Sequence, residues 1–283
     1  MATRILIIGL NIFDSGKTSV ASQLAKSLSL TGRRVEFFKP VSGHNYWFRY
    51  EHTRYCLENR KLISYDATQV RKLLKSRVSD LLANPVHTLY VPARLERPGR
   101  NLTTTLGLAG WDSVLAMERM SRPYGGRISS IMLMADTLIR EGRLLLTQEE
   151  AEKLSDGTAV RPVKNLEESQ AIESENLETC VGESFREVEK VADTVVIESF
   201  NDSVWPWEGL DRVDKVLAVG PGQVFVYDPE RLRKAAFLVR AAQSPIRGVT
   251  FTRVSDLVRP TGRLTLNPGS GLTDQTIRDL GIF

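Results

Sequence analysis

The stretch Arg4–Ser19, RILIIGLNIFDSGKTS, decides how this chain is read. Its apolar run Ile5–Ile8 predicts a short strand, and the turn that follows ends in Gly16-Lys17-Thr18. A strand that feeds such a turn and then opens a helix is a phosphate-binding arrangement. The backbone N–H groups of Asp14, Ser15, Gly16, Lys17, Thr18 and Ser19 would wrap anionic oxygens, and the helix N-terminus adds partial positive charge. Lys17 would reach the terminal phosphates and the Thr18 hydroxyl would face Mg²⁺. The usual spacing sets a glycine five residues before Gly16. Here Asn11 stands there and Gly9 supplies the glycine, so the loop is longer. Val20, Leu24 and Leu28 recur on one face of the predicted helix, and Gly32 can end it.

Composition sets the outer bounds. At 283 residues the chain can bury a full core as one domain, alone or with an insertion. The apolar fraction of 42% and charged fraction of 25% are those of ordinary globular proteins. No run approaches the ~18 apolar residues that span a bilayer. The first residues lack a signal-peptide cleavage site, so a cytoplasmic protein with no membrane partner is expected. Cys56 and Cys180 form neither a disulfide framework nor a metal pattern. A net charge of +4 suits phosphate-bearing ligands without marking a nucleic-acid binder.

Further segments gather around the loop. A second strand, Arg34–Phe38, delivers Lys39-Pro40-Val41-Ser42-Gly43 at its carboxyl end, where open parallel sheets bind ligands. Lys39 would therefore enter the same crevice as the loop and stabilise charge on a transferring phosphoryl group. Asp66 precedes a helical stretch with Val70, Leu73 and Leu74 on one face, so it reads equally as an N-cap or as a metal ligand. Thr194–Ile197 is an apolar strand that ends in an acid, Glu198. Residues His44–Arg60 are dense in aromatic and basic groups and read as an amphipathic helix. His44, nearest the crevice, reads as a structural histidine.

In this order, the phosphate loop, FKPVSG, Tyr65-Asp66-Ala67, Asn84-Pro85-Val86 and Ala192–Glu198 resemble blocks of dethiobiotin synthetase and its relatives among the cobyrinic-acid amide synthetases. These belong to the phosphate-loop NTPase class that includes MinD and nitrogenase iron protein. The blocks are scattered over about two-thirds of the chain. The resemblance implies Lys17 and Lys39 as catalytic residues bracketing the reacting phosphate, and Thr18, Asp66 and Glu198 as Mg²⁺ holders. It implies ATP as nucleotide, with GTP as the alternative, and a homodimer using part of His44–Arg60. Thr252, on an expected strand Ile246–Thr252, stands where relatives place an asparagine that reads adenine. Departures are the longer loop, the shorter KPVSG segment, the missing glycine turn after Glu198 and the lack of a glutaminase cysteine.

The expected architecture is α/β: a single domain over residues 1–283 with a doubly wound, mainly parallel sheet and an inserted subdomain near residues 92–165. Within the insertion, Leu102–Ala109 and Ser113–Met120 read as a hairpin around Gly110-Trp111-Asp112. Tyr124-Gly125-Gly126 reads as a turn, Ser130–Arg140 as a helix, and Thr147 with Glu150 as a capping box. Glu167–Glu178 reads as a solvated face and Cys180–Val191 as a helix. Val213–Val219 and Ile246–Thr252 read as strands, with a helix from Asp228 between them. The expected function is Mg²⁺-dependent phosphoryl transfer from ATP to a small-molecule carboxylate or carbamate acceptor, with C–N ligation as its continuation. A nucleotide switch acting on a protein partner is the first alternative. A nucleic-acid-associated NTPase is the second, although nucleic acid is not the expected partner.

Overall fold

The computed structural model describes residues 1–12, 15–95, 113–242, 244–266, 272 and 274–281. Asp14, the expected strand 102–109 and the turn 110–112 lie outside the described residues. In chain order the first elements are β1 (Thr3–Gly9), α1 (Lys17–Leu30), β2 (Val35–Phe38), β3 (Val41–Asn45), α2 (Tyr50–Glu58), α3 (Tyr65–Leu74), α4 (Asp80–Ala83) and β4 (Val86–Pro92). Then come β5 (Ser113–Tyr124), β6 (Arg127–Met134), α5 (Asp136–Arg140), α6 (Gln148–Leu154), β7 (Ala159–Pro162) and α7 (Leu166–Lys190). The chain closes with β8 (Thr194–Glu198), β9 (Lys215–Gly220), β10 (Gln223–Tyr227), α8 (Pro229–Val239), α9 (Phe251–Val254), β11 (Gly262–Thr265) and α10 (Asp274–Asp279). The protein is α/β with two mixed sheets. It divides into one unit of residues 1–41, 66–84 and 181–283, and another of residues 42–65 and 85–180.

The first unit holds a six-stranded sheet in the order β11-β10-β9-β1-β8-β2. β9, β1, β8 and β2 are parallel, so their carboxyl ends share one edge. Alternation along the strands splits the side chains between two faces. Ile5, Ile7, Phe37, Val196 and Leu217 pack under Val20, Leu24 and Leu28 of α1. Phe38 faces the other way, in edge contact with Phe185 of α7 and with Trp207, at 5.2 and 5.7 Å between ring centroids. Gly32, at φ +84°, takes the left-handed conformation that ends α1.

The expected last parallel strand, Ile246–Thr252, is corrected by the structure. Ile246–Gly248 is a 3₁₀ turn and Phe251–Val254 the short helix α9. The apolar residues there pair with the loop after β8. Val204 N–H donates to the Val249 carbonyl and Phe251 N–H to the Asp202 carbonyl, both at 2.9 Å. The sheet position beside β9 is taken instead by antiparallel β10. The tight Pro221-Gly222 turn, with Gly222 at φ +70°, sets up that pairing.

The second unit contains a five-stranded sheet, β3-β4-β5-β6-β7, that the sequence reading did not separate from the first. β4, β5 and β6 run antiparallel, and β7 joins β6 in parallel. The expected turn at Tyr124-Gly125-Gly126 is present. Both glycines have positive φ, as a two-residue hairpin of this kind requires. The helix expected over Ser130–Arg140 is instead strand β6 followed by the short α5. Met132, Leu133 and Met134 are all buried, so the run Ile131–Met134 is apolar on both faces and its period cannot separate strand from helix. The helix expected across His44–Arg60 is shorter. β3 runs to Asn45, whose side-chain oxygen accepts from Trp47 and Phe48 N–H at 2.9 and 3.1 Å. That turn delays the helix to Tyr50. Thr147 and Glu150 form the expected capping box. Leu166–Lys190 is one 25-residue helix, continuous through the acidic stretch.

Candidate functional site

Parallel register brings the expected residues together within the first unit. Ile7 of β1 pairs with Glu198 at the end of β8, and Phe38 of β2 pairs with Ile197. Lys39 is one residue further along and thus comes level with Glu198. Its backbone is fixed from both sides: Lys39 N–H donates to the Ala83 carbonyl at 2.8 Å, and the Asn84 side chain donates to the Lys39 carbonyl at 2.7 Å. Its ammonium donates to Glu198 Oε1 at 2.7 Å and to Asp66. Asp66 is the second residue of α3, and its carboxylate meets Lys39 in an ion pair.

The loop side of the cluster is built by glycines. Gly16, at φ +85°, is the N-cap residue of the 14-residue helix α1, which has no side-chain cap among the described residues and no acid in its first turn. Its first N–H groups therefore have no intrahelical partner. Gly9 serves for space: a Cβ there would lie 2.8 Å from Lys17 Nζ and 2.8 Å from the Asn201 carbonyl. Lys17 Nζ crosses this gap to donate to the Asn201 carbonyl at 2.7 Å and to Ser15 Oγ at 3.1 Å. The Thr18 hydroxyl donates to Glu198 Oε1 at 3.0 Å. Ser19 is exposed on α1 and accepts from Gln23.

Thr18, Lys39, Asp66 and Glu198 thus form one hydrogen-bonded group, and Lys17, held by Ser15 and Asn201, interacts with it through charge. Thr252 is not on a sheet strand but exposed on α9. Two features were missed from sequence. Ser199 Oγ is buried without a hydrogen-bond partner among the described residues, and Asn201, at φ +49°, turns its carbonyl onto Lys17. The stretch Ser199-Phe200-Asn201-Asp202, polar at three of its four positions and following an apolar strand, was the available signal.

The electrostatics are those of a buried charge cluster. Glu198 is 1% exposed; its Oε1 accepts two hydrogen bonds, while Oε2 is buried with no partner among the described residues. Burial raises the Glu198 carboxyl above its ordinary range, against the pull of Lys39. Burial alone would lower the Lys39 ammonium, but the Glu198 and Asp66 carboxylates outweigh it and hold Lys39 above its ordinary value. Lys17 falls below its ordinary value, because burial outweighs the attraction of Glu198 and Lys39 adds repulsion. Such a cluster can hold a polyanion at Lys17 and the α1 N-terminus, and a hard cation at the carboxylates and Thr18.

Comparison with protein-family models, with curated proteins and with solved structures finds no match.

Proposed function

We propose that the chain is a Mg²⁺-dependent, ATP-binding enzyme that transfers the terminal phosphoryl group to a small-molecule carboxylate or carbamate. One observation carries the nucleotide part. A helix N-terminus with no side-chain cap among the described residues, two buried lysines, a threonine hydroxyl and two carboxylates converge at the carboxyl ends of parallel strands. Each of these parts has a role in triphosphate recognition. The acceptor class and the choice of ATP rest on the resemblance in KPVSG and the blocks that follow.

The residues suit Mg²⁺. Glu198 Oε2 is a buried oxygen with no partner among the described residues, beside the Thr18 hydroxyl and within the same cluster as Asp66. Thr18, Glu198 and Asp66 would hold the ion, directly or through water. Mg²⁺, when bound, bridges phosphate oxygens and neutralises charge that develops on them. Lys17 would exchange the Asn201 carbonyl for a phosphate oxygen. Lys39, fixed by Ala83 and Asn84, would face the transferring group.

The test is calorimetric titration of Mg²⁺ with ATP, and separately with GTP, into wild type and Lys17→Ala. At least tenfold weaker binding in the variant is expected, because a charge-assisted contact to phosphate is lost. Equal affinity in both proteins would end the reading. A homodimer is proposed from Trp47, Phe48 and Tyr50, which are 64%, 54% and 44% exposed and would be covered by a second copy. Sedimentation of wild type against Trp47→Glu checks it; a wild type that is monomeric at tens of micromolar (~1000 times a nanomolar-range constant) excludes a tight dimer.

A further inference from the structure

All three histidines of the chain, His44, His52 and His87, meet within the second unit. They arrive on different elements: His44 on β3, His52 on α2 and His87 on β4. All are buried, and one ligand nitrogen from each lies within 4.8 Å of the others. The His44 ring centroid is 4.8 Å from that of His52 and 5.0 Å from that of His87.

The hydrogen bonds sort the ring nitrogens. Ser42 Oγ lies 2.5 Å from His87 Nδ1, Thr53 Oγ1 lies 3.1 Å from His44 Nε2, and the Ile63 carbonyl lies 2.7 Å from His52 Nε2. Each ring is therefore anchored through one nitrogen by an oxygen of the surrounding shell. The other nitrogens of two rings, His44 Nδ1 and His87 Nε2, face one another at 2.8 Å. Outer anchoring by an oxygen, with the second nitrogen turned toward a neighbouring imidazole, holds for His44 and His87 and is the pattern of metal-ligating histidines; His52 adds a ring within 4.8 Å that is anchored by a carbonyl.

We propose that His44, His52 and His87 form a site for a divalent transition-metal ion, Zn²⁺ foremost, with water in the fourth position. The donor set decides the class of ion. Three imidazole nitrogens suit Zn²⁺ and its neighbours, whereas Mg²⁺ and Ca²⁺ take oxygen. Metal–nitrogen bonds of about 2.0–2.1 Å in a tetrahedron separate the ligand atoms by about 3.3 Å. The 2.8 Å pair must open slightly and the widest separation must close, movements on the scale of ring rotation. Protons balance without loss from the rings. Three neutral imidazoles carry one N–H each, and the proton now between His44 and His87 moves to an outer nitrogen. All three N–H groups then donate outward, to Ser42, Thr53 and the Ile63 carbonyl. The ligands bring no negative charge, so the bound water is the group that ionises, and it is driven toward neutral pH as at other trihistidine zinc sites.

The experiment uses the full chain, stripped with a chelator and held in excess Mg²⁺ so that the carboxylates around Lys39 are not scored. Zn²⁺ is titrated by calorimetry and Co²⁺ by visible absorption. The expected result is one saturable equivalent per chain, with the strong d–d bands of a low-coordinate Co²⁺ ion that Zn²⁺ then displaces. His52→Gln and His87→Gln should each weaken binding by about a hundredfold or more, while Glu198→Gln leaves it unchanged. Proton NMR of the Co²⁺ form needs no variant and should show three shifted, exchangeable imidazole N–H signals. The proposal is overturned by absence of a saturable equivalent, by unchanged binding in both histidine variants, by loss of binding in Glu198→Gln, or by fewer than three such signals.

Discussion

Replacing Lys39 by methionine isolates the electrostatics of the site. The ammonium is the shared partner of Glu198 and Asp66, and methionine keeps the length of the side chain without its charge. Asp66 is one-third exposed and can turn to water, but Glu198 cannot, with its side chain 1% exposed. In the variant Glu198 keeps only the Thr18 hydroxyl on Oε1, so it takes up a proton rather than remain charged in a dry site. Holding a carboxyl of ordinary pKa near 4.3 protonated at pH 7 costs about 3–4 kcal/mol, at about 1.4 kcal/mol per pH unit. The sign follows from linkage. Between the unfolded carboxyl's pKa and its raised folded value, the native variant binds one proton more than the unfolded chain, so its stability falls as pH rises. Burial already raises the wild-type carboxyl, so the deficit should be at most about 3–4 kcal/mol at pH 7 and shrink toward about 1 kcal/mol near pH 4.5–5. Urea unfolding of both proteins across this range measures it, with Lys39→Met/Glu198→Gln expected to recover most of the loss. A deficit that does not change with pH, or one below about 1 kcal/mol at pH 7, would refute this account of the pair.

Gly9→Ala places a methyl group 2.8 Å from both Lys17 Nζ and the Asn201 carbonyl, and the carbonyl is backbone that cannot step aside. Thermal melts should show a loss of about 1–3 kcal/mol, and nucleotide affinity should fall about tenfold as Lys17 is displaced. Wild-type values for both would mean that Gly9 is not the gap through which Lys17 passes. Thr147→Ala removes the hydroxyl that accepts from Glu150 N–H at 3.2 Å and opens the capping box of α6. Denaturant titration should give a loss of about 1 kcal/mol with nucleotide binding untouched.

The candidate site was legible because its parts are local signals. A strand, Gly16-Lys17-Thr18 and an amphipathic helix occupy consecutive residues, and Lys39 and Glu198 each end an apolar strand. Parallel pairing then needs only register to bring them level, as Phe38 with Ile197 and Ile7 with Glu198 show. What escaped was decided by distant partners. Ile246–Thr252 looks like a strand because Ile246, Val249, Thr250 and Phe251 are β-branched or aromatic. It is claimed instead by Asp202 and Val204 on the loop after β8, which no local pattern announces. The five-stranded sheet was hidden for a similar reason: its strands come from residues 41 to 162, and Ile131–Met134 shows no face preference. The meeting of His44, His52 and His87 depends on where β3, α2 and β4 lie together, so three isolated histidines carried no metal spacing to read.

The two lysines of the charge cluster are in different states, and this sets the order in which ligands can enter. Lys39 is committed to two carboxylates, whereas Lys17 donates only to a carbonyl and a hydroxyl and is held below its ordinary pKa by burial. An entering polyphosphate therefore improves the position of Lys17, since a neutral acceptor is exchanged for a charged one. A metal ion arriving alone finds Glu198 and Asp66 both engaged by the Lys39 ammonium, which lies 2.7 Å from Glu198 Oε1 and offsets half of their charge. That ammonium repels a divalent ion and holds oxygens of both carboxylates, so a lone ion is attracted less than it would be by two unpaired acids. Metal and nucleotide should accordingly bind as a pair. Mn²⁺, followed by electron paramagnetic resonance as a stand-in for Mg²⁺, should bind the nucleotide-free protein no tighter than about millimolar and gain at least tenfold when nucleotide is present. In Lys39→Met the nucleotide-free protein should bind Mn²⁺ more tightly than wild type, because the competing charge is gone. Tight Mn²⁺ binding to the nucleotide-free wild type, unaltered by Lys39→Met, would show that Lys39 does not guard the carboxylates and that the order of entry is set elsewhere.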